Sequence, residues 1–163
     1  MKTAAIAALV LALASGAGLA HHGRLQEHLL SAKVLSAGRY AQHTEGFVRT
    51  ATHAAAGALV APFEETARIP LRAGERFGFC FEAEGFLDDG EVDLQKIVTH
   101  PPAVVAGRVA DGYVNEVELI AAGGTARGCI GHTMAADELL AGEWAIALGA
   151  GETTLVSRRF TLE

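Results

Sequence analysis

The chain has 163 residues, a net charge of −6 with histidine neutral, and half of its residues are hydrophobic. Acidic and basic residues are interspersed without a basic block, which argues against nucleic acid or an anionic membrane surface as a partner. The length suits one domain with a real core.

The N-terminus carries a short positive start, Met1 and Lys2, an apolar run from Ala4 to Ala14, and then Gly18 and Ala20 where a signal peptidase reads small residues. A run this short with these flanks predicts a secretory signal peptide over residues 1–20, not a membrane span. No cysteine follows it, so a lipid anchor is not expected. Cleavage after Ala20 leaves 143 residues and removes only Lys2 among the charges, taking the net charge from −6 to −7. No later segment is long and apolar enough to span a bilayer, so a periplasmic or secreted protein is expected.

Residues 21–33 read as an N-terminal extension, with Leu25, Leu29 and Leu30 at helical spacing. A first strand is expected from Val34 to Gln42, weakened in its middle by Gly38. Phe47 to Pro62 is alanine-rich and reads as a connection. Glu64 to Leu71 reads as extended, since Pro70 pushes Ile69 away from helix. Ala73-Gly74 turns the chain into Glu75–Glu84. Here Phe77, Phe79, Phe81 and Ala83 alternate with Gly78, Cys80, Glu82 and Glu84, the period of a strand with one buried face.

After a turn at Asp88-Asp89-Gly90, Glu91 to His100 alternates again, with Val92, Leu94 and Val98 set against Glu91, Asp93 and Gln95. Pro101-Pro102 is expected to end that strand. Val104 to Ala110 reads as a short strand or loop. Tyr113 to Ile120 reads as a strand with Tyr113, Val117 and Leu119 on one face. The glycine-rich stretch Ala121–Gly131 reads as a loop. A closing hairpin is expected from Glu143–Leu148 and Thr153–Leu162, with Trp144, Ile146, Phe160 and Leu162 inward. Six or seven short strands with little helix predict an all-β domain over residues 34–163. The expected architecture is an antiparallel β-sandwich of immunoglobulin-like topology, with a small barrel as the alternative. Phe77, Phe79, Phe81, Trp144 and Phe160 are its expected core.

Three motifs occur in order along this stretch. Ile69 to Phe79 has the form IPLxxGxxFGF, Val98 to Pro102 ends a strand in His-Pro-Pro, and Glu138 to Trp144, running on to Phe160, has the form ELxxGxW…F. Together they resemble the bacterial exported family known as domain of unknown function 3859, over Val34 to Leu162. The resemblance implies an exported β-sandwich-like domain and carries over no catalytic residue. Ala141 stands where that family tends to have proline. The stretches Ala51–Ala61 and Ala121–Gly131 have no counterpart in it.

Cys80 and Cys129 are the two cysteines. In an oxidising compartment a disulfide between them is expected, worth about 4 kcal/mol by loop-closure entropy, against the alternative of two separate thiols. Without a Cys-x-x-Cys pair, redox catalysis is not expected. If His21 opens the mature chain, its amino group and ring, with His22 or another histidine, have the ligand types of a copper site. The other reading is a polar terminus with no metal. His100 is placed to fix its strand end through a backbone carbonyl, and His132 with Met134 forms a weak soft-metal pair.

Glu82, Glu84, Asp88, Asp89, Glu91 and Asp93 are expected to cluster around one hairpin. Calcium binding or hydrolysis is weighed there against a solvated face that protects a sheet edge. Neither a G-x-S-x-G elbow, a phosphate-binding glycine loop nor an H-E-x-x-H signature is present. The expectation is therefore a non-catalytic binding or structural module of the cell envelope, without a cofactor. Its expected partner is an envelope protein, a peptide or a glycan, met through an edge strand or loops. A copper-binding exported protein using His21 is the alternative.

Overall fold

The computed structural model describes residues 30–41, 61–105 and 107–163. The predicted signal peptide, His21, His22 and most of the alanine-rich connection lie outside the described residues. Within them the protein is all-β. Its strands are β1 (Ser31–Arg39), β2 (Arg68–Ile69), β3 (Arg76–Glu84), β4 (Gly90–Val105), β5 (Arg108–Ala122), β6 (Thr125–Thr133), β7 (Gly142–Ala150) and β8 (Thr153–Leu162). Strand β1 begins three residues before the predicted start at Val34.

Hydrogen bonding links the strands in the order β1-β3-β6-β5-β4-β7-β8-β2. All neighbours are antiparallel except the short β2–β8 pair. The link between β5 and β6 is only two residue pairs long, Ala121 with Ala126 and Ala122 with Thr125. The sheet therefore folds over at that point into a layer of β1, β3 and β6 facing a layer of β5, β4, β7, β8 and β2. This is the predicted sandwich, nearly closed into one continuous sheet. The chain changes layer five times, between β1 and β2, β2 and β3, β3 and β4, β5 and β6, and β6 and β7.

The core fills the space between the layers, as the period-two pattern requires. Phe77, Phe79 and Phe81 are fully buried from one side, and Trp144, Ile146, Leu148, Phe160 and Leu162 from the other. Phe77 meets Trp144 and Phe160 edge-on, with ring centroids 6.0 and 5.1 Å apart, the arrangement that ring quadrupoles favour. The Trp144 indole donates to the Leu140 carbonyl at 3.0 Å, so the one polar atom of that ring is satisfied inside the core.

The outer face of the three-stranded layer is pinned by covalent and ionic links. Cys80 and Cys129 sit directly opposite each other on β3 and β6 and form a disulfide. Tyr40 buries it from the outside, with its hydroxyl 3.6 Å from the Cys80 Sγ. The predicted bridge therefore links two adjacent strands and ties down no loop. Glu82, nearby on β3, accepts from Lys33 on β1 and Arg127 on β6, and these bonds hold its carboxyl down at about 2. Burial pushes the Glu75 carboxyl up. Hydrogen bonds at 2.7 Å from Arg39 and Arg72 outweigh that and keep it below the usual carboxylate range.

Candidate functional site at the β5 edge

Strands β4 and β5 form the longest hairpin of the fold, paired from Gly90 opposite Ala121 to Val105 opposite Arg108 with one register shift between Thr99 and Ala103. Strand β7 covers β4 only from Gln95 to Thr99, so the far end of the hairpin is a two-stranded arm. Pro101 and Pro102 lie inside β4, where sequence reasoning ended the strand. They are tolerated because the pairing shifts between Thr99 and Ala103 and β7 no longer needs an N–H from β4 there. The arm carries Val104 and Val109 at 73% and 75% exposure.

One side of β5 is paired with β4. On its other side β6 pairs only with Ala121 and Ala122, and among the described residues no strand pairs with Arg108 to Ile120. A free edge of this length presents main-chain donors and acceptors that a folded protein otherwise covers. The inner face of β5 holds Tyr113, Asn115, Val117 and Leu119, and the last two are buried in the core. The outer face holds Val114, Glu116, Glu118 and Ile120, all exposed. Opposite them on β4 stand Ile97, Gln95, Asp93 and Glu91. Asp93 and Glu118 thus face each other as like charges. No ion pair engages Glu91, Asp93 or Glu116 among the described residues.

Where β5 and β6 part, side chains bridge the seam. Lys96 lies on the inward face of β4 between Leu94 and Val98 and is only 5% exposed. Its ammonium donates to the Gly131 carbonyl on β6 at 3.2 Å and lies 5.5 Å from the Tyr113 ring centre. Burial lowers its pKa. The Tyr113 hydroxyl and His132 Nδ1 are hydrogen-bonded at 2.7 Å. Burial, then the nearby Glu138 charge, pushes the tyrosine up to about 12. Burial lowers the His132 pKa against the opposing pull of Glu138. Glu138 Oε2 is 3.1 Å from His132 Nε2, yet that nitrogen has no well-formed hydrogen bond. The carboxylate is therefore close to that nitrogen but out of line for N–H donation. The rings of His100, His132 and Phe77 pack around Trp144. The Tyr113–His132 bond and the Lys96 bond to β6 join the strands across the gap, an arrangement suited to closing the seam.

The residues singled out from sequence fall into several places. Cys80 and Cys129 are joined, and Phe77, Phe79, Phe81, Trp144 and Phe160 make the core. Trp144 at 1% exposure offers no surface platform. His100 Nδ1 contacts the Pro101 carbonyl at 2.8 Å, the expected backbone role. His132 is engaged by Tyr113 and Met134 belongs to the core. Among the described residues no three His, Cys, Asp or Glu side chains come together as metal ligands.

Two expectations need correction. The acidic residues do not share a hairpin, because β3 pairs with β1 and β6 while β4 lies in the other layer. Glu82 is consumed by Lys33 and Arg127, and Asp89 accepts from the Gly123 N–H at 2.7 Å. The stretch Ala121–Gly131 is not a loop: it is the end of β5, a turn at Gly123 and Gly124, and most of β6. Lys96 was missed, although it shares the parity of Leu94 and Val98 in the sequence.

No family model matches the chain, and no curated protein does. Among solved structures, an immunoglobulin-like protein from Pseudomonas aeruginosa is similar, with a TM-score of 0.56 and 16% identity over 82% of this chain and 97% of that one. An alkylpurine DNA glycosylase from Pseudomonas fluorescens, bound to DNA with an abasic site analogue, overlaps 60% of this chain and 28% of its own at a TM-score of 0.43. At these identities the first likeness shows the immunoglobulin-like fold, and the second carries no argument.

Proposed function

We propose that this chain is an exported, non-catalytic immunoglobulin-like module of the cell envelope that binds an extended segment of another envelope polypeptide as an added strand. The observation that carries the reading is the β5 edge from Arg108 to Ile120, paired on one side only among the described residues. Strand addition uses such an edge, with main-chain bonds giving affinity and alternate side chains giving specificity. The leader-like N-terminus and the disulfide support export. The ordered motifs resembling domain of unknown function 3859 agree with an envelope location and imply no chemistry. A non-catalytic role is supported by the seam, where buried Tyr113 and His132 bond each other and buried Lys96 donates to the Gly131 carbonyl.

Amide hydrogen exchange on the purified protein, with and without the partner captured from an envelope extract, tests the reading. Slowed exchange over residues 108–120 is expected on binding. Protection confined to β1, β8 or the β7–β8 turn would overturn it.

A further inference from the structure

The free edge of β5 is complementary to itself. We infer that in the isolated protein this edge is covered by the same edge of a second copy, in an antiparallel β5–β5 pairing about a two-fold axis at Gly112. This rests on the reading of β5 as an edge that accepts an added strand, and names what occupies the edge until the envelope partner displaces it.

When two identical strands pair antiparallel about a two-fold axis, one residue faces its own copy. Positions equally far from it stand opposite each other on the same face. With Gly112 at the axis, the outer-face residues of β5 pair Arg108 with Glu116 and Ala110 with Val114, each twice. Arg108 and Glu116 are both exposed, and neither has an ion pair within its own chain among the described residues. The pairing therefore adds two opposite-charge contacts that the single chain lacks. Val114, exposed at 57%, gains an apolar neighbour in Ala110. A Cβ on Gly112 would fall 2.3 Å from the Val98 carbonyl oxygen, so that position is bare and the axis carries no side chain. On the inner face Asp111 stands opposite Tyr113 and Val109 opposite Asn115, and no like charges meet.

Other registers lack this fit. An axis at Glu116 sets that carboxylate against its own copy, and an axis at Val117 sets Glu116 against Glu118. An axis at Val114 or Asn115 brings no opposite charges together. An axis at Tyr113 turns Arg108 toward Glu118, which already has a partner within the chain. In the Gly112 register Glu118 takes no part. The arm of the second copy then turns at Gly107, opposite Val117, before Ala121, where β6 joins the edge. Main-chain groups from Arg108 to Glu116 are covered in both copies, which guards the edge against nonspecific pairing.

Sedimentation velocity of the wild type over a wide concentration range, with the variants Glu116→Arg and Arg108→Glu, tests this pairing. The wild type is expected to dimerise, with hydrogen exchange slowed over residues 108–116 as its concentration rises. Each variant alone sets like charges opposite each other at both contacts, and should dimerise at least about tenfold more weakly. In an equal mixture of the two variants every arginine meets a glutamate, so dimerisation should return. Its return also shows that both variants are folded.

Monomers at every concentration would overturn the inference, while slowed exchange over residues 108–120 with the captured partner would still uphold strand addition. A dimer protected elsewhere, or one through residues 108–116 that both variants keep, would overturn it as well. A mixture that stays monomeric where the wild type dimerises would overturn the Gly112 register and the inference with it.

Discussion

The two layers of the sandwich treat charge and backbone in opposite ways. In the layer of β1, β3 and β6, neighbouring strands are joined by a disulfide under Tyr40, and Glu82 links all three strands through Lys33 and Arg127. In the β4–β5 hairpin the strands run past the body, one edge of β5 is unpaired from Arg108 to Ile120 among the described residues, and Asp93 faces Glu118. Core packing alone explains neither arrangement, since both layers bury apolar inner faces. The difference indicates that cross-strand links are concentrated on one layer while the other leaves main-chain groups of β5 unpaired among the described residues. If so, damage to the first layer should cost stability, and changes to the second should alter binding at little cost in stability.

The largest expected effect comes from the disulfide. The Cys80→Ala/Cys129→Ala variant is expected to lose about 4 kcal/mol, because the bridge closes a loop of 49 residues in the unfolded chain. Urea unfolding against the wild type measures it. In the folded variant, hydrogen exchange should rise on β1, β3 and β6 while the arm of β4 and β5 is unchanged. An equal rise on the arm would mean that the layers are one cooperative unit, and the comparison would fail.

A smaller effect is expected in acid and reads the pinned layer alone. The Glu82 carboxyl is held at about 2, far below its unfolded value of 4.5, by hydrogen bonds from Lys33 and Arg127. A depressed folded pKa gives stability that is fully present above 4.5 and is lost as the pH falls toward 2. Between pH 5 and 2.5 the unfolding midpoint should therefore drop in the wild type, and less steeply in Glu82→Gln. Identical acid slopes for the two proteins would show that the Lys33–Glu82–Arg127 link does not stabilise the layer.

The pinned layer was the more legible of the two in the sequence. Phe77, Phe79 and Phe81 carry a period of two that only a half-buried strand satisfies, and Cys80 falls on its opposite face by parity. Glycine misled the reading one strand later. Gly123 and Gly124 do form the turn, at φ 59° and 76°. Gly128, by contrast, lies within β6 because an added Cβ would come within 2.9 Å of Leu119 Cδ2 and 3.4 Å of Phe81. Close packing between layers excluded a side chain, and the sequence pattern is the same as that of a flexible loop. The open edge of β5 was not legible at all. Nothing from Tyr113 to Ile120 records that β6 turns away after two residue pairs, since that depends on the β3–β6 pairing. Lys96 was legible by parity, but a lysine inside a core face is a rare choice that its bond to the Gly131 carbonyl and its place over the Tyr113 ring explain.

The smallest expected effect reads the like-charge opposition in the β4–β5 hairpin. Asp93 stands directly opposite Glu118 with no ion pair of its own among the described residues. Like charges at that spacing are destabilising by roughly 0.2–1 kcal/mol. Asp93→Lys replaces the repulsion by an attraction, so the thermal midpoint should rise by about 1–4 °C. An unchanged or lowered midpoint would show that the Asp93–Glu118 opposition does not destabilise the hairpin, and the two layers would then differ in strand pairing alone.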